Sequence, residues 1–272
     1  MTTLTGYIAA IVIGFTLGLI GGGGSILTVP ALVYLVGVEP VLSTSYSLFI
    51  VGAASLVGSF SYMRQGLVSY KTALVFAIPS FTAVYLTRRW IVPAIPEHIT
   101  QWPVPGGTDF ILTKDIAVMV FFAIIMLLAS FSMIRSARQE KPESKGGTIA
   151  YNYPLILLEG AVVGVLTGLV GAGGGFLIIP ALVLLAKLPM KLAIGTSLLI
   201  IAAKSLIGFT GDVGTQPIDW TFLLIFTAIA VVGIFIGTYA SRFIAAEKLK
   251  TGFGWFVLIM AIYILVNELV LA

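Results

Sequence analysis

Two runs of small residues carry the clearest chemistry in this chain. They are Gly21-Gly22-Gly23-Gly24, followed by Ser25, and Gly171-Ala172-Gly173-Gly174-Gly175. Glycine lets a backbone come close to a ligand. A helix that restarts after such a run presents unpaired N–H groups and the positive end of its dipole, a combination that suits an anion. The restart falls around Ser25 and Phe176, or further along at Pro30 and Pro180, because proline is favoured in a first helical turn. Ser47, Thr196 and Ser197 can add hydroxyl donors. Lys204 adds a positive charge from within an apolar stretch, and Ser197, Lys204 and Gly208 are spaced to share one helix face. The candidate anion-binding set is therefore Gly22, Gly23, Gly24, Ser25, Ser47, Gly173, Gly174, Gly175, Thr196, Ser197 and Lys204. Each has a plainer alternative. The hydroxyls can bond to a carbonyl one turn back, and Lys204 can snorkel to a surface or pair with Asp212. Asp212 and Asp219 read as members of a solvated loop beyond a helix end.

Other chemistries are poorly supplied. Cysteine is absent and His98 is the single histidine. That removes disulfides, thiolate and His-cluster metal sites, and leaves little room for a Ser-His-Asp triad. Neither glycine run has the spacing of a nucleotide-binding loop. We expect no enzyme activity and no cofactor or metal.

The elements that must hold these residues are membrane helices. Of 272 residues 59% are apolar and 10% charged, against about 25% charged in an ordinary soluble domain. The mean hydropathy is +1.11. Too few polar groups exist to cover a water-exposed surface. The net charge of +4 arises from basic residues between apolar segments, which points to membrane topology and away from nucleic acid. Met1 to Gly14 carries no Lys or Arg, so the basic start of a signal peptide is missing. Apolar stretches cover about 4–38, 43–62, 70–87, 115–135, 152–187, 192–210, 218–240 and 252–271. A span needs about 20 apolar residues, so 4–38 and 152–187 are too long for one, and each is interrupted by a glycine run. Unwound backbone at that depth survives only inside protein or beside a water-filled cavity.

The chain also matches itself at an offset of 150. Residues 14–38 align with 164–188 without a gap, pairing Gly14, Gly18, Gly21, Gly23, Gly24 and Pro30 with identical partners. Ser47/Ser197, Ser55/Ser205 and Gly58/Gly208 follow at the same offset. This divides the chain into a first repeat (1–135, with an outer insertion at about 91–113), a linker (136–150) and a second repeat (151–272). If each broken stretch returns to its starting side, or crosses twice, the repeats are inverted. One side then holds Arg64, Lys71, Arg135, Arg138, Lys141, Lys145, Lys187, Lys191, Arg242, Lys248 and Lys250, the other Arg88, Arg89 and Lys114. That is the positive-inside pattern, with a cytoplasmic linker and both termini outside. Inverted repeats with broken helices place a transport site where the breaks meet. Gly14-x3-Gly18, Gly164-x3-Gly168 and Gly233-x3-Gly237 have the spacing of close helix packing instead.

The paired motifs Gly18-Leu-Ile-Gly-Gly-Gly-Gly-Ser-Ile-Leu-Thr-Val-Pro30 and Gly168-Leu-Val-Gly-Ala-Gly-Gly-Gly-Phe-Leu-Ile-Ile-Pro180 resemble the TauE/SafE sulfite exporter family. So do Gly195-Thr-Ser-Leu and Lys204-Ser-Leu-Ile-Gly-Phe-Thr-Gly-Asp212. The first repeat departs from the pattern, with Ser45-Tyr-Ser47 where Gly-Thr-Ser is usual. The resemblance implies transport of sulfite, an organosulfonate such as sulfoacetate, or a related sulfur oxyanion.

The combined expectation is an all-α integral membrane protein of a bacterial-type inner (plasma) membrane, multi-pass, with two inverted-topology repeats whose glycine-rich breaks meet at the midplane. Its partners are a small anion and the lipid bilayer, with no nucleic acid. A homo-oligomer is compatible with the sequence and is not specified by it. An importer of thiosulfate or sulfate, or a membrane assembly protein without transport activity, are the other readings.

Overall fold

The computed structural model describes residues 2–102, 110–139, 153–170, 173–184, 188–241, 243 and 246–271. Residues 103–109 of the insertion, 140–150 of the linker, and Gly171 and Ala172 lie outside them. The described residues are helical almost throughout. Helix α1 (Thr2–Ile20) leads into a 3-10 helix at Gly22–Leu27, a short α2 (Thr28–Pro30) and a π-helical turn at Ala31–Val36. Then come α3 (Pro40–Arg64), α4 (Tyr70–Leu86) with its π-helical end Thr87–Ile91, and α5 (Val92–Ala94). A two-stranded antiparallel hairpin, β1 (His98–Trp102) and β2 (Phe110–Thr113), interrupts the helices. Both strands lie in the insertion, for which the sequence pattern gives no strand. Helices α6 (Lys114–Gln139), α7 (Tyr153–Val170), α8 (Gly175–Leu184), α9 (Met190–Thr210), α10 (Trp220–Ala240) and α11 (Ala246–Val266) complete the bundle. Helix α6 continues past Arg135 into the stretch read as linker.

Three of these helices, Pro40–Arg64, Lys191–Thr210 and Trp220–Ala240, are long and apolar enough to cross a membrane. At 1.5 Å per residue the 21 residues of α10 reach about 32 Å, the thickness of a hydrocarbon core. The distribution of side chains is that of a protein dissolved in lipid. Leu224, Val232, Phe235 and Ile236 of α10 and Leu74 and Ile78 of α4 are exposed. Ser43, Ser45, Ser47, Ser55 and Ser59 of α3 are fully buried. Hydroxyls point inward because no water exists outside to receive them, and interior carbonyls or a ligand can.

Glycine sets the packing. On α1, a Cβ at Gly14 would overlap the backbone of Ala230, and one at Gly18 that of Ile234. From α10, Gly233 and Gly237 return the contact on Ile11 and Phe15. The two GxxxG motifs thus close on each other. In the same way Gly160, Gly164 and Gly168 of α7 rest on Phe76, Ser80 and Thr87 of α4 and its extension. The central pair is α3 on α9. Leu48 lies at Gly208, Leu206 at Gly52 and Leu198 at Gly58, so the two helices run antiparallel. Helix α6 packs on α11.

Candidate functional site

The chain reverses at Gly21, whose φ of 74° and ψ of −128° suit glycine alone. From there it runs back beside α1. Val36 arrives next to Gly6, where a Cβ would lie 2.9 Å from Val36 Cγ2. Tyr34 then donates a hydrogen bond to Glu268 Oε1 at 2.9 Å, tying the returning segment to the π-helical turn Asn267–Leu271 that follows α11. The run of four glycines is less unwound than its composition suggests. Only Gly21 stands outside a helix, and Gly22, Gly23 and Gly24 enter the 3-10 turn. That tight geometry eclipses residues three apart, which costs least where side chains are missing. Ser25 Oγ closes the turn on Gly22 O at 2.7 Å.

The second run behaves alike. Gly173 and Gly174 both have φ of 65°. The Gly174 carbonyl accepts from Leu177 N at 3.0 Å and Ile178 N at 3.1 Å, so α8 starts here, at Gly175, one residue ahead of Phe176. The amides of Gly175 and Phe176 precede its first helical bonds.

The two runs meet. A Cβ on Gly22 would overlap the backbone of Gly175, and the reverse is equally true. Helix α9 passes beside this crossing and presents one residue per turn to it. Ser197 Oγ is 3.3 Å from a Cβ at Gly21, Ile201 Cδ1 is 2.7 Å from one at Gly22, and Lys204 Nζ is 2.6 Å from one at Gly174. Helix α3 meets Gly173 through Val51. One turn to either side of Val51, Ser47 Oγ and Ser55 Oγ are buried without a hydrogen-bond partner. Ser205 Oγ on α9 is in the same state.

Lys204 is fully buried, and its Nζ donates to Thr167 Oγ1 of α7 at 2.9 Å. An ammonium has three donors, and among the described residues no carboxylate pairs with it. The carboxylate of Asp212 is taken by Arg88, Nη1 to Oδ2 at 3.4 Å. Asp212 is therefore no solvated loop residue, being 2% exposed. The snorkelling alternative for Lys204 does not hold either, since its ammonium stays inside.

Of the sequence-derived set, Gly22, Ser25, Gly173, Gly174, Gly175, Ser197 and Lys204 gather at this crossing. Gly23 and Gly24 belong to the adjoining 3-10 turn. Ser47 stands one turn away with a free hydroxyl. Ser197 donates to Ile194 O at 2.8 Å, the ordinary carbonyl bond, and faces Gly21 with its remaining acceptor capacity. Thr196 is engaged elsewhere: its Oγ1 accepts from Ser69 N at 2.9 Å, just ahead of α4. Thr167 was missed. Its signal was available in the repeat, where Thr167 and Lys204 stand opposite Leu17 and Ala54. Two polar departures from one duplicated pattern mark a paired change.

A bundle with exposed apolar helices and a buried lysine among glycine turns fits a membrane transporter. The chain belongs to the family described as sulfite exporter TauE/SafE, whose model matches residues 7–264. It is 29% identical over 256 residues to a probable membrane transporter protein of Xylella fastidiosa (strain 9a5c), covering 93% of this chain and 91% of that one. It is 27% identical over 262 residues to the probable membrane transporter protein YunE of Bacillus subtilis (strain 168), covering 87% and 89%. No solved structure matches the chain.

Proposed function

We propose that this transporter carries small sulfur-containing oxyanions, sulfite or an organosulfonate such as sulfoacetate, outward across a bacterial-type inner membrane. The anion binds between the two glycine-rich turns. The observation that carries this reading is Lys204, an ammonium buried beside Gly174 with a hydroxyl for its only described partner. A charge inside a membrane is costly and marks a pathway or a ligand. An oxyanion would supply the missing counter-charge, and the Gly175 and Phe176 amides would supply neutral donors. The family's description names sulfite export, which fits a small, strongly hydrogen-bonding anion. With the cell interior negative, export gains about 2.3 kcal/mol per charge per 100 mV without a coupling ion.

The same reading makes the two halves inverted repeats whose breaks cross near the midplane. Two packing relations support it. Helix α3 runs antiparallel to α9, its repeat mate. Partners are also exchanged between halves, α1 lying on α10 and α7 on α4. Arg64, Lys71 and Lys191 then belong to the cytoplasmic end, and Arg88, Asp212 and the chain termini to the outer end.

Proteoliposome exchange with labelled sulfite, sulfoacetate, sulfate and thiosulfate tests the proposal. Sulfite or sulfoacetate should exchange and be lost in Lys204→Met. Exchange of sulfate or thiosulfate alone would move the assignment to an importer-type substrate, and exchange of none would remove the transport site.

A further inference from the structure

Arg88 sits at the end of the bundle where α4 and α9 finish. It is fully buried, with its Cβ 3.0 Å from the position of a Cβ at Gly211. Buried arginines normally saturate their five N–H donors, often through a bidentate fork on a carboxylate. Here Nε, Nη1 and Nη2 all lack a hydrogen bond, and the contact with Asp212 is a single 3.4 Å approach. Asp212 Oδ2 is itself without a hydrogen-bond partner, while the Ser45 side chain lies within bonding reach of the carboxylate. The fork is thus desolvated, charged and open. Next to it Thr87 Oγ1 is also buried and unpartnered.

Position links this cluster to the first site. Gly211 follows Lys204 by seven residues, about 10 Å along α9. Thr87 packs on Gly168, the neighbour of the Thr167 that holds Lys204. The duplication does not require these charges. At the same offset of 150, Thr238 stands opposite Arg88 and Tyr62 opposite Asp212.

We propose that Arg88 is a second oxyanion-binding residue on the route between Lys204 and the end of the bundle nearer Asp212, and that Asp212 is its resident stand-in, displaced when an anion arrives. The proposal rests on the anion-transport reading above. A guanidinium fork matches an oxyanion with two or more oxygens, which an ammonium does not. The carboxylate weakens the hold, so an arriving anion can leave again.

The test uses purified full-length protein in detergent, with sulfite as probe and thermal unfolding as readout. Asp212→Asn removes the stand-in, so sulfite should raise Tm more in this variant than in the wild type. Arg88→Gln/Asp212→Asn should abolish the extra shift. An equal sulfite shift in wild type and Asp212→Asn would overturn the proposal and mark a structural ion pair only. If the wild type shows no shift and Asp212→Asn does, the Arg88 site stands and the Lys204 reading falls. Should Asp212→Asn fail to fold, Arg88→Lys keeps the charge and the pair but loses the fork. It should raise the half-saturating sulfite concentration in proteoliposome exchange about tenfold, the scale of one hydrogen bond to a charged group. An unchanged value would overturn the proposal.

Discussion

Gly22 and Gly175 occupy each other's side-chain space: a Cβ on either would fall within the backbone of the other. Two turns far apart in sequence can cross at this distance only because neither carries a side chain. Gly22→Ala and Gly175→Ala should each lower stability by about 1–3 kcal/mol, the cost of overpacking a dense interior. Gly252→Ala is the control, since a Cβ there meets nothing within 4 Å. Thermal unfolding in one detergent measures all three, and an unchanged Tm for the first two would contradict the crossing.

Gly174 joins the crossing to the charge. Its φ of 65° disfavours any other residue, and a side chain there would strike Thr167 and Lys204 Nζ. Gly174→Leu should reach the membrane with lowered stability and without sulfite exchange. Well-expressed Gly174→Leu with substantial exchange would reduce the glycine run to a packing device.

Lys204 and Thr167 should respond differently to substitution. Lys204→Met removes the counter-charge and should weaken sulfite binding about tenfold or more, with the fold retained. Thr167→Val leaves the ammonium buried with no hydrogen-bond partner, so it should cost about 1–3 kcal/mol of stability when no anion is present. Added sulfite should recover part of that loss if, as proposed, it bonds to the same ammonium. Calorimetry with and without sulfite separates the two effects. Equal affinity in wild type and Lys204→Met would remove this lysine from the site.

Topology is open to direct labelling, since the native chain has no cysteine. Thr215, after α9, and Gln65, after α3, are both exposed at opposite ends of the bundle. An impermeant thiol reagent added to intact cells should modify Thr215→Cys and spare Gln65→Cys. The reverse pattern, or equal modification, would break the inverted arrangement.

Much of this molecule was legible in one dimension. The low charge and long apolar runs required lipid as solvent, and the apolar stretches 192–210 and 218–240 returned as α9 and α10 within two residues at either end. The GxxxG motifs met their partners because small residues at that spacing leave a groove that only another backbone fills. Ser197 and Lys204 were placed on one face by helical periodicity, and both border the crossing. These features are local, or repeat at a fixed interval, so the order of residues carries them. The contact of Gly22 with Gly175, the bond from Lys204 to Thr167, the burial of Asp212 against Arg88 and the diversion of Thr196 to Ser69 belong to the tertiary structure alone. Each joins residues from separate helices, and its geometry depends on how closely those helices approach and in which direction they run. Composition and periodicity contain no such distances. Packing decides them, and with them which of several polar residues on an inward face is left without a partner.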